Sequence, residues 1–185
     1  MQRAGAQTLR GGVKTAPAGA ECVICLEGTS TDDTPLGRDC ACRGSAGWSH
    51  APCLISAAKQ KSESWSSCPT CKQRWTGRTH LKLAQARVTH DIDNPTDNIE
   101  RITALDEFAM AMDEEANDPQ AALEYFQAAQ RLEVIVHGEE HERVMASKVN
   151  IATLQMQRLG DPRGALPVLK EVLQVQSRVL GEAHE

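Results

Sequence analysis

Eight residues constrain this chain more than any other feature: Cys22, Cys25, Cys40, Cys42, His50, Cys53, Cys68 and Cys71. They follow the pattern C-x2-C-x14-C-x-C-x7-H-x2-C-x14-C-x2-C and use all seven cysteines of the chain. A disulfide framework does not fit, because the count is odd and the N-terminus has no apolar leader that would direct the chain to an oxidising compartment. Metal ligation does fit. Short C-x2-C turns bring two thiolates to one ion, and eight ligands are enough for two tetrahedral sites. Soft thiolates with one imidazole select zinc over magnesium or calcium. Both sites would be filled by protein ligands, with no open position for water, so the zinc is expected to be structural.

Around this cluster the 185 residues divide into four segments. Residues 1–20 hold three basic residues and no acidic one, and read as a Gly/Ala-rich disordered tail. Residues 21–75 hold all the cysteines and all three Trp. Residues 76–98 read as a connector, with a short helix over 80–88 and then the breaker-rich DIDNPTDN. Residues 99–185 are rich in Ala, Leu, Glu and Gln and read as helices. Charge changes sign along the chain: residues 1–90 carry 12 Lys+Arg against 6 Asp+Glu, and residues 91–185 carry 8 against 19. The acidic half would repel phosphate, so nucleic acid is not the expected partner. No run approaches the roughly 18 apolar residues that a membrane-spanning helix needs. The chain is therefore expected to be cytoplasmic, or else nuclear.

The helical segment repeats itself. NDPQAALEYFQAAQRLEVIVHGEEHE, from Asn117, aligns without a gap on GDPRGALPVLKEVLQVQSRVLGEAHE, from Gly160, with 9 of 26 positions identical. Met145, Val149, Ala152, Met156 and Leu159 form one helical stripe over 142–159. Leu166, Leu169, Leu173, Gln176 and Leu180 form another, with Val172 and Val179 beside it. Pro167 would break that second helix unless it starts late, near Gly164. Helix pairs recurring every 40-odd residues stack into α-solenoids. The G-E-x-H turns (Gly138–His141, Gly181–His184) and the Ala122-Leu123 and Ala165-Leu166 pairs resemble tetratricopeptide repeats of the kinesin-light-chain type. That resemblance implies a protein-binding surface and nothing catalytic. The chain stops where another repeat would begin, so a truncated array is expected. The fold class expected for the whole is a small zinc-stabilised cross-brace, RING-like, with little regular structure and one short helix, followed by an all-α tetratricopeptide-like solenoid.

The ligand order, with one residue between the third and fourth cysteines and seven before the histidine, is similar to the RING-CH (RING-variant) finger. The string Cys40-Ala-Cys42-Arg-Gly44-Ser45-Ala-Gly-Trp-Ser-His50-Ala-Pro-Cys53-Leu54 resembles that family's C-x-C-x-G-S…H-x-x-C-L core. A PHD finger shares the ligand order, but usually has more residues between its third and fourth ligands and an aromatic two residues before its last pair; here that position is Ser66. The RING resemblance implies interleaved ligation: Cys22, Cys25, His50 and Cys53 on one zinc, and Cys40, Cys42, Cys68 and Cys71 on the other. It also implies a ubiquitin ligase without a nucleophile of its own, which docks a charged ubiquitin-conjugating enzyme and orients it toward a substrate lysine. By that resemblance Ile24, Pro69 and Lys72 match the positions that contact the conjugating enzyme, with Lys72 the cation that bridges it to ubiquitin, and Trp65, in the loop before Pro69, is expected to add an aromatic anchor. The substrate protein would be chosen by the helical repeats. Two departures stand out. The transmembrane helices of membrane RING-CH ligases are missing, and Ala57 and Ala58 stand where the family often has a Trp. A non-enzymatic zinc-finger and repeat adaptor is the alternative reading, and a PHD-type chromatin reader a third. Trp48 and Trp75 are read as packing around the zinc sites. His80, His90 and His137 are read as surface residues.

Overall fold

The computed structural model describes residues 16–28, 34–43, 47–93 and 97–182. The elements are β1 (Leu36–Gly37), β2 (Ser49–His50), α1 (Ala51–Gln60), a single 3-10 turn (Ser62–Trp65), α2 (Gly77–Asp93), α3 (Asn98–Glu114), α4 (Pro119–His137), α5 (Glu142–Gln157) and α6 (Pro162–Glu182). Most of the expected tail, the Gly44-Ser45 of the finger string, and His184 lie outside the described residues. The chain forms two compact units: Met1–Asn94 with Met110–Asn117, and Pro95–Ala109 with Asp118–Glu185. No helix of the described residues is long and apolar enough to cross a membrane.

The first unit has little regular structure outside its helices. β1 and β2 form one antiparallel pair, with Leu36 opposite His50 and Gly37 opposite Ser49. Among the described residues, two small apolar clusters stand out in this unit. One gathers Leu36 and Trp48 around Cys22. The other gathers Leu54, Ala58, Trp65, Trp75 and Leu83 around Cys42 and Cys68. Leu83 has no solvent exposure and lies on α2, so α2 belongs to this core and is more than a connector. It starts earlier than the sequence suggests, at Gly77 (φ +59°), because a residue far back in the chain caps it. The Asp39 carboxylate accepts from Thr79 N (3.0 Å) and Thr79 Oγ1 (2.7 Å), in the first turn. It also ends later. Asp91 is buried within it, and the His90 ring lies 5.8 Å from that of Trp65. That packing outweighs the breaker-rich composition at 91–93.

The second unit is helical, and its helices start on side-chain caps. Asp97 accepts from Glu100 N (2.9 Å), Asp118 from Ala121 N (3.0 Å) and Asp161 from Gly164 N (2.9 Å), at the N-termini of α3, α4 and α6. The His141 imidazole accepts from Arg143 N at α5 (3.2 Å). The repeated Asp-Pro is therefore a cap followed by the first helical residue, where the missing proline N–H has no consequence. α4 packs on α5 and α5 on α6, each pair joined by four residues as a helical hairpin. Val144, Met145 and Val172 form the core between them, with Val134, Val149 and Val175 at its edge.

Two expectations change here. α6 runs through Pro167 from Pro162 rather than starting near Gly164. The carbonyl that the proline leaves without its helical partner belongs to Arg163, an exposed residue in the first turn of the helix, where the loss is least costly. The apolar face of α6 is also one position off. Ala165 and Val172 are buried, whereas Leu166 and Leu173 are 51% and 63% exposed. Val179 and Leu180 side chains lie outside those described. On α5, Met145 and Ala152 face the core as expected, but Met156 is 45% exposed.

Candidate metal centre

The two C-x2-C turns fold by the same hydrogen bonds. In the first, Leu26 N donates to Cys22 O and Cys22 N to Glu27 O, both at 2.9 Å; in the second, Lys72 N donates to Cys68 O and Cys68 N to Gln73 O, both at 2.9 Å. Each turn puts the residue after its second cysteine in the left-handed region: Leu26 at φ 63° and Lys72 at φ 60°. Non-glycine residues pay for that conformation with roughly 1–2 kcal/mol, so the surroundings must hold it. The geometry turns backbone donors toward sulfur, as with Ile24 N, 3.5 Å from Cys22 Sγ.

The remaining ligands are placed by adjoining elements. His50 ends β2 and immediately precedes α1, and Cys53 follows one helical turn later, so both side chains reach the same side. Asp39, which caps α2, directly precedes Cys40, so α2 is anchored beside the second pair of ligands.

The donor atoms gather into two groups of four: Cys22, Cys25, His50 and Cys53, and Cys40, Cys42, Cys68 and Cys71, each within 4.8 Å of one another. These are the interleaved sets expected from the resemblance. The spacings suit a tetrahedral ion. With Zn–S bonds of about 2.3 Å, two thiolates on one zinc stand about 3.8 Å apart, and a thiolate and an imidazole about 3.6 Å apart. Cys42 Sγ lies 3.7 Å from Cys68 Sγ. His50 Nδ1 lies 3.4 Å from Cys25 Sγ and 3.9 Å from Cys53 Sγ, which marks Nδ1 as the ligating nitrogen. A sulfur separation of 3.7 Å also excludes a disulfide.

The thiols' acidities point the same way. Burial opposes ionisation of Cys22, but the backbone at Cys25, His50 and Ile24 outweighs it and brings the thiol down to about 6. The backbone at Gln73 does the same for Cys71, also to about 6. Burial, and then the neighbouring thiols, push Cys42 and Cys53 up to about 12, and burial raises Cys40. Such crowded thiols do not ionise together unless a cation sits among them. The two clusters fit two structural zinc ions.

Of the other residues singled out by sequence, Trp48 (6% exposed) and Trp75 (4%) do pack beside the clusters. Trp75 Nε1 donates to Ser64 O at 3.0 Å, so its one polar atom is satisfied. Ile24 is 44% exposed, and Pro69 and Lys72 are exposed. Trp65 is a correction: at 5% exposure its ring belongs to the core around Cys42 and Cys68 and presents no face to a partner. His80 is a second correction. It is 3% exposed, not a surface residue, and faces Glu115. His137 stacks on His141 with centroids 4.5 Å apart, and His90 contacts Trp65. Sequence reasoning missed Asp39 and Glu115, whose partners lie 40 and 35 residues away.

No curated protein and no solved structure matches the chain. The family comparison does find a match, over residues 22–75, and it spans both donor clusters from the first cysteine to Trp75. The chain carries a RING-variant domain at residues 22–75.

Proposed function

We propose that this chain is a RING-CH-type ubiquitin ligase: the finger docks a ubiquitin-conjugating enzyme charged with ubiquitin, and the helical repeats recruit the substrate protein. The match of residues 22–75 to the RING-variant domain, with its ligands in two interleaved groups, carries this reading. Zinc, when bound, would hold the two C-x2-C turns in fixed register. The chain's own residues would do the rest. Ile24 and Pro69 offer apolar surface on the two turns, 44% exposed in the case of Ile24. Lys72, with a side chain 69% exposed and only a 4.0 Å surface pair to Glu63, is free to turn toward ubiquitin. The role is positional: no nucleophile is needed on the ligase, and the gain comes from orienting a thioester and an amine.

We take residues 21–75 as the finger and 99–185 as a tetratricopeptide-like array. The equivalent Asp118 and Asp161 caps support the array. Leu123 is 9% exposed and its counterpart Leu166 51%, so the two copies differ in how far the shared position is covered. One observation favours a non-enzymatic adaptor instead. Trp65 is buried, and α1 carries Ala57 and Ala58 where a Trp is common, so the surface for the conjugating enzyme is less apolar than in the family.

Autoubiquitination with a panel of conjugating enzymes separates the two. The ligase reading expects chains with at least one enzyme, and loss of at least about tenfold in rate for Ile24→Ala and Lys72→Glu with zinc content unchanged. No chains with any enzyme from the intact, zinc-loaded protein would leave the adaptor.

A further inference from the structure

Outside the two thiolate clusters, a third group of metal-ligating side chains comes together: His80 on α2 with Glu114 and Glu115 at the C-terminal end of α3, ligand atoms within 4.8 Å of one another. All three residues lie in the first compact unit. His80 is 3% exposed and Glu115 8%, whereas Glu114 is exposed. Neither ring nitrogen of His80 has a hydrogen-bond partner. A neutral imidazole carries one donor and one acceptor, and leaving both unmet in a buried site costs on the order of 1–3 kcal/mol per group. Native structures rarely leave such groups unexplained.

The distance between the two buried partners is informative. His80 Nδ1 stands 3.6 Å from Glu115 Oε1, too far for a hydrogen bond. It is close to the separation of about 3.4 Å between a nitrogen and an oxygen that share a tetrahedral zinc with bonds near 2.1 Å. Burial, and then the nearby Arg74 cation, push the His80 pKa down against the pull of Glu115 and Glu114, so the ring stays neutral and its lone pair is available. Arg74 opposes a metal here, but its guanidinium is occupied in part with Met110 Sδ at 3.4 Å. Two carboxylates and the negative C-terminal end of α3 outweigh one arginine.

We propose that His80, Glu114 and Glu115 form a third metal site for a divalent zinc-class ion, pinning α2 to the last turn of α3. Its ligands are one imidazole and two carboxylates, without thiolate. It therefore holds zinc more weakly than the finger clusters and leaves a coordination position for water. The site does not depend on ligase activity. It makes the fixing of α2 responsive to free zinc while the finger stays loaded.

Zinc stoichiometry tests it directly. The full chain would be dialysed against buffered ZnCl2 at rising free zinc, and bound metal counted. The expected result is a plateau at two zinc ions per chain, one per thiolate cluster, then a third as free zinc rises. Glu114→Gln, at an exposed position that leaves folding intact, should weaken the third step at least about tenfold, since even residues that only support a ligand carry that much affinity. Glu115→Gln and His80→Asn should abolish the third step. Trp emission, read alongside, reports whether the buried substitutions still fold. Saturation at two ions would overturn the proposal, the cluster then holding water. So would a third ion indifferent to Glu114→Gln, which would place it on another histidine pair such as His137 and His141.

Discussion

The two halves of this molecule solve the same problem with different materials. Residues 22–75 have few apolar side chains to bury, and their shape depends on eight ligand atoms meeting at two points. Among the described residues of that span, the one α-helix, α1, has no side-chain cap; His50 and Cys53 flank its N-terminal end instead. Helices α3 to α6 contribute none of those eight atoms. They start on Asp97, Asp118, His141 and Asp161 and pack through small apolar residues such as Ala122, Val144, Ala165 and Val172. One half stores its fold in coordination, the other in burial and capping. The difference should be visible as two independent responses.

The largest effect should come from zinc removal. The tryptophans at 48, 65 and 75 are all in the finger and all buried, whereas Tyr125 is in the helices. A strong chelator should therefore shift Trp emission to the red while most of the far-UV helical signal persists. Structural zinc contributes on the order of 10 kcal/mol to modules of this kind, so the finger should unfold completely. His50→Ala should do the same with zinc present. A single transition in which both signals collapse together would break the comparison.

Next is the allegiance of α2. Leu83 is fully buried against Trp75 and the second cluster, so Leu83→Ala should cost about 3 kcal/mol. The loss should appear in the Trp-detected transition and in easier zinc loss to a chelator, with the helical transition unmoved. If Leu83→Ala moved only the helical signal, α2 would belong with the other helices.

A smaller effect, of opposite sign, is expected at Asp106 on α3. Burial, and then Glu133 and Glu107, raise its pKa to about 7, against a partial pull from Arg143. The folded state thus holds this proton more tightly than the unfolded chain does. Ionising the group costs stability as pH rises from near 4 to near 7, and the cost is absent below that window. Asp106→Asn should therefore stabilise the helical unit by on the order of 1–2 kcal/mol at pH 8, discounted for partial exposure, and by little at pH 4. A pH-independent difference would show that the carboxyl is not held protonated by its surroundings.

What the sequence revealed follows the same divide. The ligands were legible because coordination demands fixed residue types at fixed spacing. The two sets in space match those the family resemblance implied. The repeated Asp-Pro was legible because capping is local. Distant pairings were not. The start of α2 depends on Asp39, and the burial of His80 on Glu115, each more than 30 residues away. The face of α6 was ambiguous because Ala165 and Val172 run beside Leu166 and Leu173. Only packing against α5 selects the smaller pair, and larger apolar residues were favoured by sequence. Trp65 misled for a related reason: its position near the ligands suggested a surface anchor, whereas the finger has so few large side chains that it needs this one inside.

The finest test concerns the two repeat copies. Asp118 and Asp161 make the same cap, to Ala121 N at 3.0 Å and Gly164 N at 2.9 Å. Replacing either with Ala should cost about 1 kcal/mol by capping alone. The settings differ, however. Leu123, in the copy capped by Asp118, is buried, whereas Leu166 and Leu173 of α6 are exposed. A helix with fewer buried contacts opens locally before the whole unit does. Asp118→Ala should therefore lower the melting temperature of the whole helical unit. Asp161→Ala should leave it nearly unchanged and instead speed amide exchange in the first turns of α6. Equal shifts in melting temperature would mean that α6 unfolds only with its neighbours, and that the contacts through Val172 and Val175 suffice to hold it despite its exposed leucines.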